Sequence, residues 1–293
     1  MKKIAIIYQG AVTLLEINYV NHKKHIFDYL RNENIDFDVF CSLANECVYK
    51  YTSVDKINTF VNIVNKKLNK NDEIKMEEIG VGGYKCHTSY IPDTTILSLL
   101  EKMFIKDKLK FIEFKDNYNN CTVAIEHTVI GDGHTSVCIP NTTFYKRIQN
   151  IDNFISTNKM DKDYTYYIYL RCDYFFYSNF TLKNYLIPNT VTSASMQRGK
   201  NTIRSDFIWI SEKKYTEYIN SDSVKIMNLI EPDNIYQIGG PKIHVRDQHR
   251  LYKYIESLDK NVILVDYPQE KGIRVGVWEY DRLPEEYKKL YFE

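Results

Sequence analysis

Arg171 and Asp173 are the two charged residues of an otherwise apolar and aromatic run, Tyr164 to Ser178, which reads Tyr-Thr-Tyr-Tyr-Ile-Tyr-Leu-Arg-Cys-Asp-Tyr-Phe-Phe-Tyr-Ser. Burying an isolated carboxylate costs several kcal/mol or more, so Asp173 must be ion-paired or metal-bound. Side chains two apart on a strand share a face, which turns Arg171 and Asp173 the same way. Two uses fit that spacing: a buried Arg–Asp ion pair that pins a strand edge, or a ligand site where the strand emerges into a crevice. Two more carboxylates stand at the edge of apolar segments. Asp206 precedes Phe207-Ile208-Trp209-Ile210, and its alternative role is to stabilise a turn. Asp247 closes Gly239-Gly240-Pro241-Lys242-Ile243-His244-Val245-Arg246-Asp247 ahead of a helical pattern, where Asp is a favoured N-cap. Met196-Gln197-Arg198-Gly199-Lys200 reads as a basic turn. Glu126, His127, Asp132 and His134 could ligate a metal, but they share no defined spacing and read as a polar loop.

These residues need a scaffold. Aromatic and β-branched residues favour a pleated, buried surface, so Tyr164 to Ser178 reads as a central strand. Its near-continuous apolarity predicts cover on both faces, as in a mostly parallel α/β sheet. Lys3 to Tyr8 is a second buried strand, and Gln9-Gly10-Ala11-Val12 is a turn. Thr13 and Glu16 fit a capping box. A helix is predicted from about Leu14 to Arg31 and a strand from Asp36 to Leu43, which together make a βαβ unit. The Gln9-Gly10 turn opens onto a helix N-terminus, whose N–H groups suit a nucleotide phosphate or ribose. No GxGxxG is present. Further helices are predicted at 52–75, 94–108 and 142–157, with a terminal one from Leu283-Pro284-Glu285-Glu286. Strands are predicted at Thr190 to Ser195, Phe207 to Ile210 and Asn261 to Asp266, and a helix from about Glu212 to Asn220. No internal repeat, linker or low-complexity break appears, so one composite α/β domain is expected.

Composition narrows the field. The 293 residues suffice for one large core or two small ones. A formal net charge of +1 argues against a general nucleic-acid binder, which carries a basic excess. The 25 tyrosines suit wet, sugar- or base-lined clefts, although abundant Lys, Asn and Ile point to codon bias as the simpler cause. The six cysteines, at 41, 47, 86, 121, 138 and 172, form no CxxC pair and no zinc motif. The apolar run after Met1-Lys2-Lys3 ends at Gln9, too short for a signal peptide. No stretch approaches the ~20 apolar residues of a membrane span. A cytoplasmic protein in a reducing compartment is expected, and the Asn-x-Thr sequences at Asn120, Asn141 and Asn179 are then chance matches.

Three segments in order resemble the nucleotide-sugar glycosyltransferases with the A-type fold, a group that includes the capsid-glycan enzymes of chloroviruses and enzymes of bacterial surface-glycan loci. Ile4-Ala5-Ile6-Ile7-Tyr8-Gln9-Gly10, a helix and Phe37-Asp38-Val39-Phe40 resemble its nucleotide-binding βαβ. Leu170-Arg171-Cys172-Asp173 resembles its "L-R-x-D" form of the Asp-x-Asp motif, and Ser205-Asp206-Phe207-Ile208 its downstream "D-x-F" strand. The resemblance implies transfer of a hexosyl or pentosyl group from a nucleoside-diphosphate sugar, a UDP-sugar first, to a hydroxyl of a glycan or glycoprotein. Residues 1–175 would form the nucleotide-binding half and 176–293 the acceptor-binding half. Tyr8, Gln9, Gly10, Ala11, Thr13, Arg171 and Asp173 would then meet the nucleotide, and Asp173 would hold Mn²⁺ or Mg²⁺, hard cations that take oxygen ligands. Arg171 would contact phosphate. Asp247, or failing that Asp206, would take the acceptor proton. For a viral enzyme the compartment would be the host cytoplasm.

The chain departs from that pattern at three places. Arg171 stands where a full Asp-x-Asp motif has its first Asp. No His follows His249 to serve as the late ligand, and Thr13 stands where related sequences have a phosphate-binding Arg. Arg198 and Lys200 would then carry part of the phosphate charge. Two other readings remain: a nucleotide- or sugar-binding module without catalysis, and a metal-dependent hydrolase built on Glu126 to His134.

Overall fold

The computed structural model describes residues 3–51, 53–71, 76–79, 84–115, 125–128, 135–138, 142–181, 184–198, 201–215, 255–257, 259–267, 271–277 and 279–293. Strand β1 (Lys3–Ala11) is buried from Ile4 to Gln9. A continuous helical stretch follows: α1 (Leu15–His22), a π-helical turn over Lys23–Asp28, and α2 (Tyr29–Asn32). Strand β2 (Phe37–Ala44) then pairs parallel with β1, Ile4 opposite Phe37 and Ala11 opposite Ala44. This is the expected strand–helix–strand unit. The capping box does not form. Leu14, at φ 61°, occupies the N-cap, and Thr13 Oγ1 instead accepts from Val48 N at 3.0 Å. Thr13 is buried, and its hydroxyl satisfies an amide that would otherwise be stranded.

Next come β3 (Glu46–Tyr51), α3 (Val54–Leu68), β4 (Met76–Ile79) and β5 (Tyr84–Tyr90). The three strands form a small antiparallel sheet in the order β3-β5-β4. Ser53 caps α3 and Asn69 ends it in the left-handed conformation; Ile57, Phe60, Val61 and Val64 are buried at helical spacing. Helix α4 (Asp93–Met103) buries Ile96, Leu99, Leu100 and Met103. Strand β6 (Leu109–Phe114) lies parallel to β2, β7 (Ile125–Thr128) pairs with β8 (Thr135–Cys138), and α5 (Thr142–Thr157) follows.

The chain then enters β9 (Tyr164–Leu170) and β10 (Tyr174–Phe176), followed by β11 (Thr190–Arg198), β12 (Asn201–Glu212), β13 (Ile263–Tyr267), β14 (Gly272–Arg274) and α6 (Glu285–Tyr291). Seven strands make the central sheet in the order β13-β11-β12-β9-β1-β2-β6. The pairs β11–β13, β9–β1, β1–β2 and β2–β6 are parallel, whereas β12 is antiparallel to both neighbours. On one face Ile4, Ile6 and Tyr8 pack with residues of α1, α3 and α4. On the other, Ala5, Ile7 and Phe40 pack with Ile148, Ile151 and Ile155 of α5. The fold class is therefore as expected: α/β, with a mostly parallel sheet and helices on both faces. Among the described residues no helix is long and apolar enough to cross a membrane.

Three segments differ from expectation. The run Tyr164 to Ser178 is not one strand. It leaves the sheet after Leu170, turns through Arg171–Asp173, and resumes as β10, which pairs with β14. Burial continues across the break, but the charged pair sits where the sheet ends rather than within it. Asp206 does not precede a strand; it lies inside β12, which begins at Asn201, and Arg198 lies inside β11. Arg198, the last residue of β11, pairs with Asn201, the first of β12, and Gly199 and Lys200 lie outside the described residues. Strand β12 also runs on through Glu212, so the helix expected from there starts at residue 213, because Ser211 and Glu212 continue the ladder with Tyr167 and Tyr166.

Candidate functional site

Topology brings two sites of interest together. Leu170, the last residue of β9, lies opposite Tyr8 of β1 in parallel register. Gln9, Gly10 and Ala11 and the loop Arg171–Asp173 therefore emerge side by side at the carboxyl ends of adjacent strands. From β1 the chain order runs one way to β2 and β6 and the other way to β9, so this is the place where open α/β sheets bind ligands. Strand β12 adds to it. Ile208 lies opposite Leu170, so Asp206, two residues earlier in an antiparallel strand, falls beyond the end of β9 at the level of the loop.

Within the loop the charged groups are joined. Arg171 Nε and Nη2 donate to Asp173 Oδ1 at 2.9 Å and Oδ2 at 3.0 Å, a two-pronged guanidinium–carboxylate pair. Arg274 Nε, from β14, donates to Oδ2 at 2.8 Å. Asp173 is buried, its side chain 1% exposed; the side chains of Arg171 and Arg274 are 19% and 37% exposed. Burial pushes the Asp173 carboxyl up, but the two guanidiniums outweigh it and hold it well below the usual carboxylate range. Val275 N also donates to the Asp173 carbonyl at 2.8 Å, which ties β14 to the loop through the backbone. Glu279 stands close enough to feel both Arg274 and Asp173; burial raises its pKa, and Arg274 opposes that.

Helix α1 holds the loop from beneath. Asn18, Asn21 and His22 lie at i, i+3 and i+4, one face of the helix, and all are buried. Asn18 Nδ2 donates to the carbonyls of Cys172 (2.8 Å) and Tyr174 (2.7 Å), on either side of Asp173. Asn21 pairs with both backbone groups of Phe176, at 2.9 Å each. His22 Nε2 lies 2.6 Å from the Tyr174 carbonyl and Nδ1 lies 2.7 Å from Tyr8 Oη. A carbonyl only accepts, so Nε2 carries the proton and Nδ1 accepts from the Tyr8 hydroxyl. Burial lowers the His22 pKa to about 4, against the pull of the Tyr174 carbonyl, which keeps the ring neutral.

The expected site residues thus fall into groups. Arg171 and Asp173 come together, with the ends of β1 beside them. Tyr8 is fully buried and supports His22, so its side chain lies behind the crevice. Gln9 is buried, and its Nε2 has no hydrogen-bond partner among the described residues. The expected turn at Gln9–Ala11 is not formed, because these residues stay in β1 and ladder with Ser42, Leu43 and Ala44; Gly10 has φ +100°, and a Cβ built there would meet nothing within 4 Å, so this end of β1 borders open space. Ala11 ends the β1–β2 ladder, and Thr13 is occupied by Val48. Arg198 pairs with Asn201, roughly 20 Å along β12 from Ile208 at about 3.3 Å per residue. The side chains of Arg198, Asp206, Glu126 and His127 lie outside the described residues, as do Lys200, Asp132, His134 and Asp247 entirely. Sequence reading missed Arg274, Glu279 and the Asn18–Asn21–His22 stripe. Only the stripe left a signal, as polar residues recurring on the inward face of a helix.

A divalent cation does not fit this cluster. Both Asp173 oxygens already accept from guanidiniums, and a cation would have to displace Arg171 or Arg274 to reach them. Among the described residues no three His, Cys, Asp or Glu side chains are grouped to hold a metal ion.

No protein-family model matches the chain, and no curated protein sequence matches it. Solved structures to which the chain is similar include three glycosyltransferases. One, involved in the glycosylation of the major capsid of PBCV-1, is 10% identical, with a TM-score of 0.39, over 90% of this chain and 82% of that one. Mouse xyloside xylosyltransferase 1 is 9% identical, with a TM-score of 0.42, over 100% of this chain and 94% of that one. GlyE of Streptococcus pneumoniae TIGR4 is 12% identical, with a TM-score of 0.35; this chain spans 65% of its length. At these scores the likeness concerns broad architecture alone.

Proposed function

We propose that the protein is a glycosyltransferase that moves a sugar from a nucleoside-diphosphate sugar, a UDP-sugar first, to a hydroxyl of a glycan or glycoprotein. The observation that carries this reading is the position of Arg171–Asp173 at the carboxyl end of β9, beside the Gln9–Gly10 end of β1 and at the level of Asp206. Nucleotide and diphosphate would lie across the ends of β1 and β9, with residues 1–175 supplying most of their contacts and 176–293 the acceptor's. The acceptor oxygen attacks the anomeric carbon, and the bond from that carbon to the diphosphate oxygen breaks with its electron pair leaving on the diphosphate. Asp247, or else Asp206, takes the acceptor proton. Arg171 faces the charge that develops on the leaving group, and such charge-assisted bonds strengthen as that charge grows. Arg198 and Lys200 would carry part of the phosphate charge.

The test is a panel of UDP-, GDP-, dTDP- and CDP-sugars with the purified chain, read by release of nucleoside diphosphate with and without glycan acceptors. A ligand at ~100 times its Kd stabilises the native state by about 2.7 kcal/mol, so a thermal shift first selects the base. We expect one base to be selected, and turnover that falls by ~100-fold or more when the catalytic carboxylate, Asp247 or Asp206, is replaced by Asn. No shift and no release with any donor would reject the reading.

A further inference from the structure

We infer that His22 is a positioning residue: as its Nε2–H tautomer it locks the end of β1 to the Arg171–Asp173 loop, so that both parts of the proposed donor crevice are held in one frame. Its bearing on donor binding rests on the transferase reading, but the lock itself rests on geometry. The backbone groups of an extended segment alternate between its two edges. Val275 N donates to the Asp173 carbonyl and Tyr177 N to the Lys271 carbonyl, both at 2.8 Å, so Asp173 and Tyr177 face the β14 side. The carbonyls of Cys172, Tyr174 and Phe176 face the other edge, where β10 has no partner strand among the described residues. Helix α1 stands in for that strand. Asn18 donates to the Cys172 and Tyr174 carbonyls, Asn21 pairs with Phe176, and His22 Nε2 donates to the Tyr174 carbonyl. The π-helical turn continues the contact, with the His25 carbonyl accepting from Phe180 N at 2.8 Å.

Of the three stripe residues, His22 is the one that also reaches β1. Its Nδ1 accepts from the Tyr8 hydroxyl at 2.7 Å, and Tyr8 stands opposite Leu170, the residue before the loop. One rigid ring therefore spans from β1 to β10. The span depends on where the proton sits. With the proton on Nδ1 alone, a nitrogen lone pair would face the Tyr174 carbonyl, and two acceptors repel. With both nitrogens protonated, the Tyr8 oxygen can only accept, and its own hydrogen is turned into the core beside Phe27, where a buried donor is left without a partner. The surroundings keep the ring in its bonded form. Asp173 and the Tyr174 carbonyl favour the charged ring, His25 opposes it, and burial outweighs them all. Tyr8 and the Cys41 and Cys172 thiols near it stay protonated, because burial pushes each of them up. Phe176 meets the imidazole edge-on, with ring centres 5.4 Å apart.

The experiment compares the unaltered chain with His22→Gln and His22→Leu, by hydrogen exchange and by calorimetry with UDP, GDP, dTDP and CDP. A glutamine amide can donate to the Tyr174 carbonyl and accept from the Tyr8 hydroxyl, whereas leucine can do neither. In His22→Leu the amides of 9–11 and of 174–176 should both exchange about tenfold or more faster, and in His22→Gln both should stay within about threefold of the unaltered chain. The nucleotide that the unaltered chain selects should bind His22→Leu about tenfold more weakly, since a loop in place about one-tenth of the time binds that much less well, and His22→Gln should restore it to within about threefold. Val61→Ala, in the buried face of α3, is the control: it should lower Tm and leave nucleotide affinity unchanged at a temperature where every variant is folded. A merely structural His22 would behave like Val61. Exchange in His22→Leu that rises at only one of the two segments, nucleotide affinity within about twofold of the unaltered chain, or a His22→Gln variant as weak as His22→Leu would each overturn the inference. If His22→Leu fails to fold, Tyr8→Phe removes the β1 end of the link alone, and faster exchange at 174–176 then decides. Failure of the unaltered chain to bind any of the four nucleotides would sink the transferase reading, and the exchange arm would still decide the lock.

Discussion

Asn18 is the residue whose loss should most clearly separate a supported loop from an unsupported one. Its amide donates to Cys172 O at 2.8 Å and Tyr174 O at 2.7 Å, and the side chain is completely buried. Its own carbonyl oxygen has no partner among the described residues, so Asn18→Leu removes two donated bonds and strands nothing on the helix. Tyr174 O keeps His22, whereas Cys172 O loses the Asn18 bond. Stranding one buried carbonyl costs about 1–3 kcal/mol and weakening the other about 1 kcal/mol, so the sum is ~2–4 kcal/mol. With an unfolding entropy near 2.1 cal/mol/K per residue over 293 residues, that lowers Tm by roughly 3–7 °C. Asn18→Asp, almost the same shape, should cost more, because it points a carboxylate at two carbonyls and buries an unpaired charge. Thermal unfolding by circular dichroism gives the total, and hydrogen exchange locates it. The amides of 172–176 and 274–275 should lose protection first. Loss of less than about 0.5 kcal/mol in Asn18→Asp would refute the clamp, since no buried donor pair of this kind can be so cheaply inverted.

Two other outcomes follow from the same neighbourhood. His22 is held neutral, with its pKa lowered to about 4, while an unfolded histidine titrates near 6.5; the unfolded chain therefore binds the extra proton between those values, and stability should fall as pH drops from about 6.5 to 4, by up to ~3 kcal/mol. Urea unfolding across that range should show the slope, and His22→Gln should flatten it. Gly272→Ala should destabilise by about 1–3 kcal/mol, because its Cβ would lie 2.5 Å from the Phe175 carbonyl oxygen and 2.6 Å from the Tyr174 ring, forcing the β10–β14 pair apart; unchanged stability in urea unfolding would contradict the tight approach.

Much of the scaffold was legible because its signals are local. The spacing of Ile57, Phe60, Val61 and Val64, or of Ile148, Ile151 and Ile155, is set by one helix against one apolar face, and period alone reveals it. The same holds for β1 and β2, whose buried runs read as strands without reference to anything else. What failed was local in appearance and non-local in cause. Aromatic propensity carries Tyr164 straight through to Ser178, but the exit from the sheet is decided by partners 101 residues downstream, where Arg274 meets Asp173. Strand β12 starts early because β11 supplies a ladder for residues 201–204, and nothing in Asn201 or Thr202 announces that partner. Arg274 itself could not be singled out, since a lone arginine after Gly-Ile has no pattern until β14 is placed against β10.

The same distinction bears on how the motif is interpreted. A short motif records which residues are adjacent in sequence, and Leu-Arg-x-Asp read alone makes Asp173 the ligand and Arg171 an accessory. In space the order of importance changes. Asp173 accepts from guanidiniums on both oxygens, and the arginine side chains are more exposed than the carboxylate they hold. A single carboxylate can neutralise one cation without the full desolvation cost of an isolated charge. Here it contacts two guanidiniums, one from the loop and one from a strand that exists as a pair only with β10. Arg171, Asp173 and Arg274 thus form one unit in space, and the β10–β14 ladder, the Asn18 clamp and the neutral His22 hold its geometry.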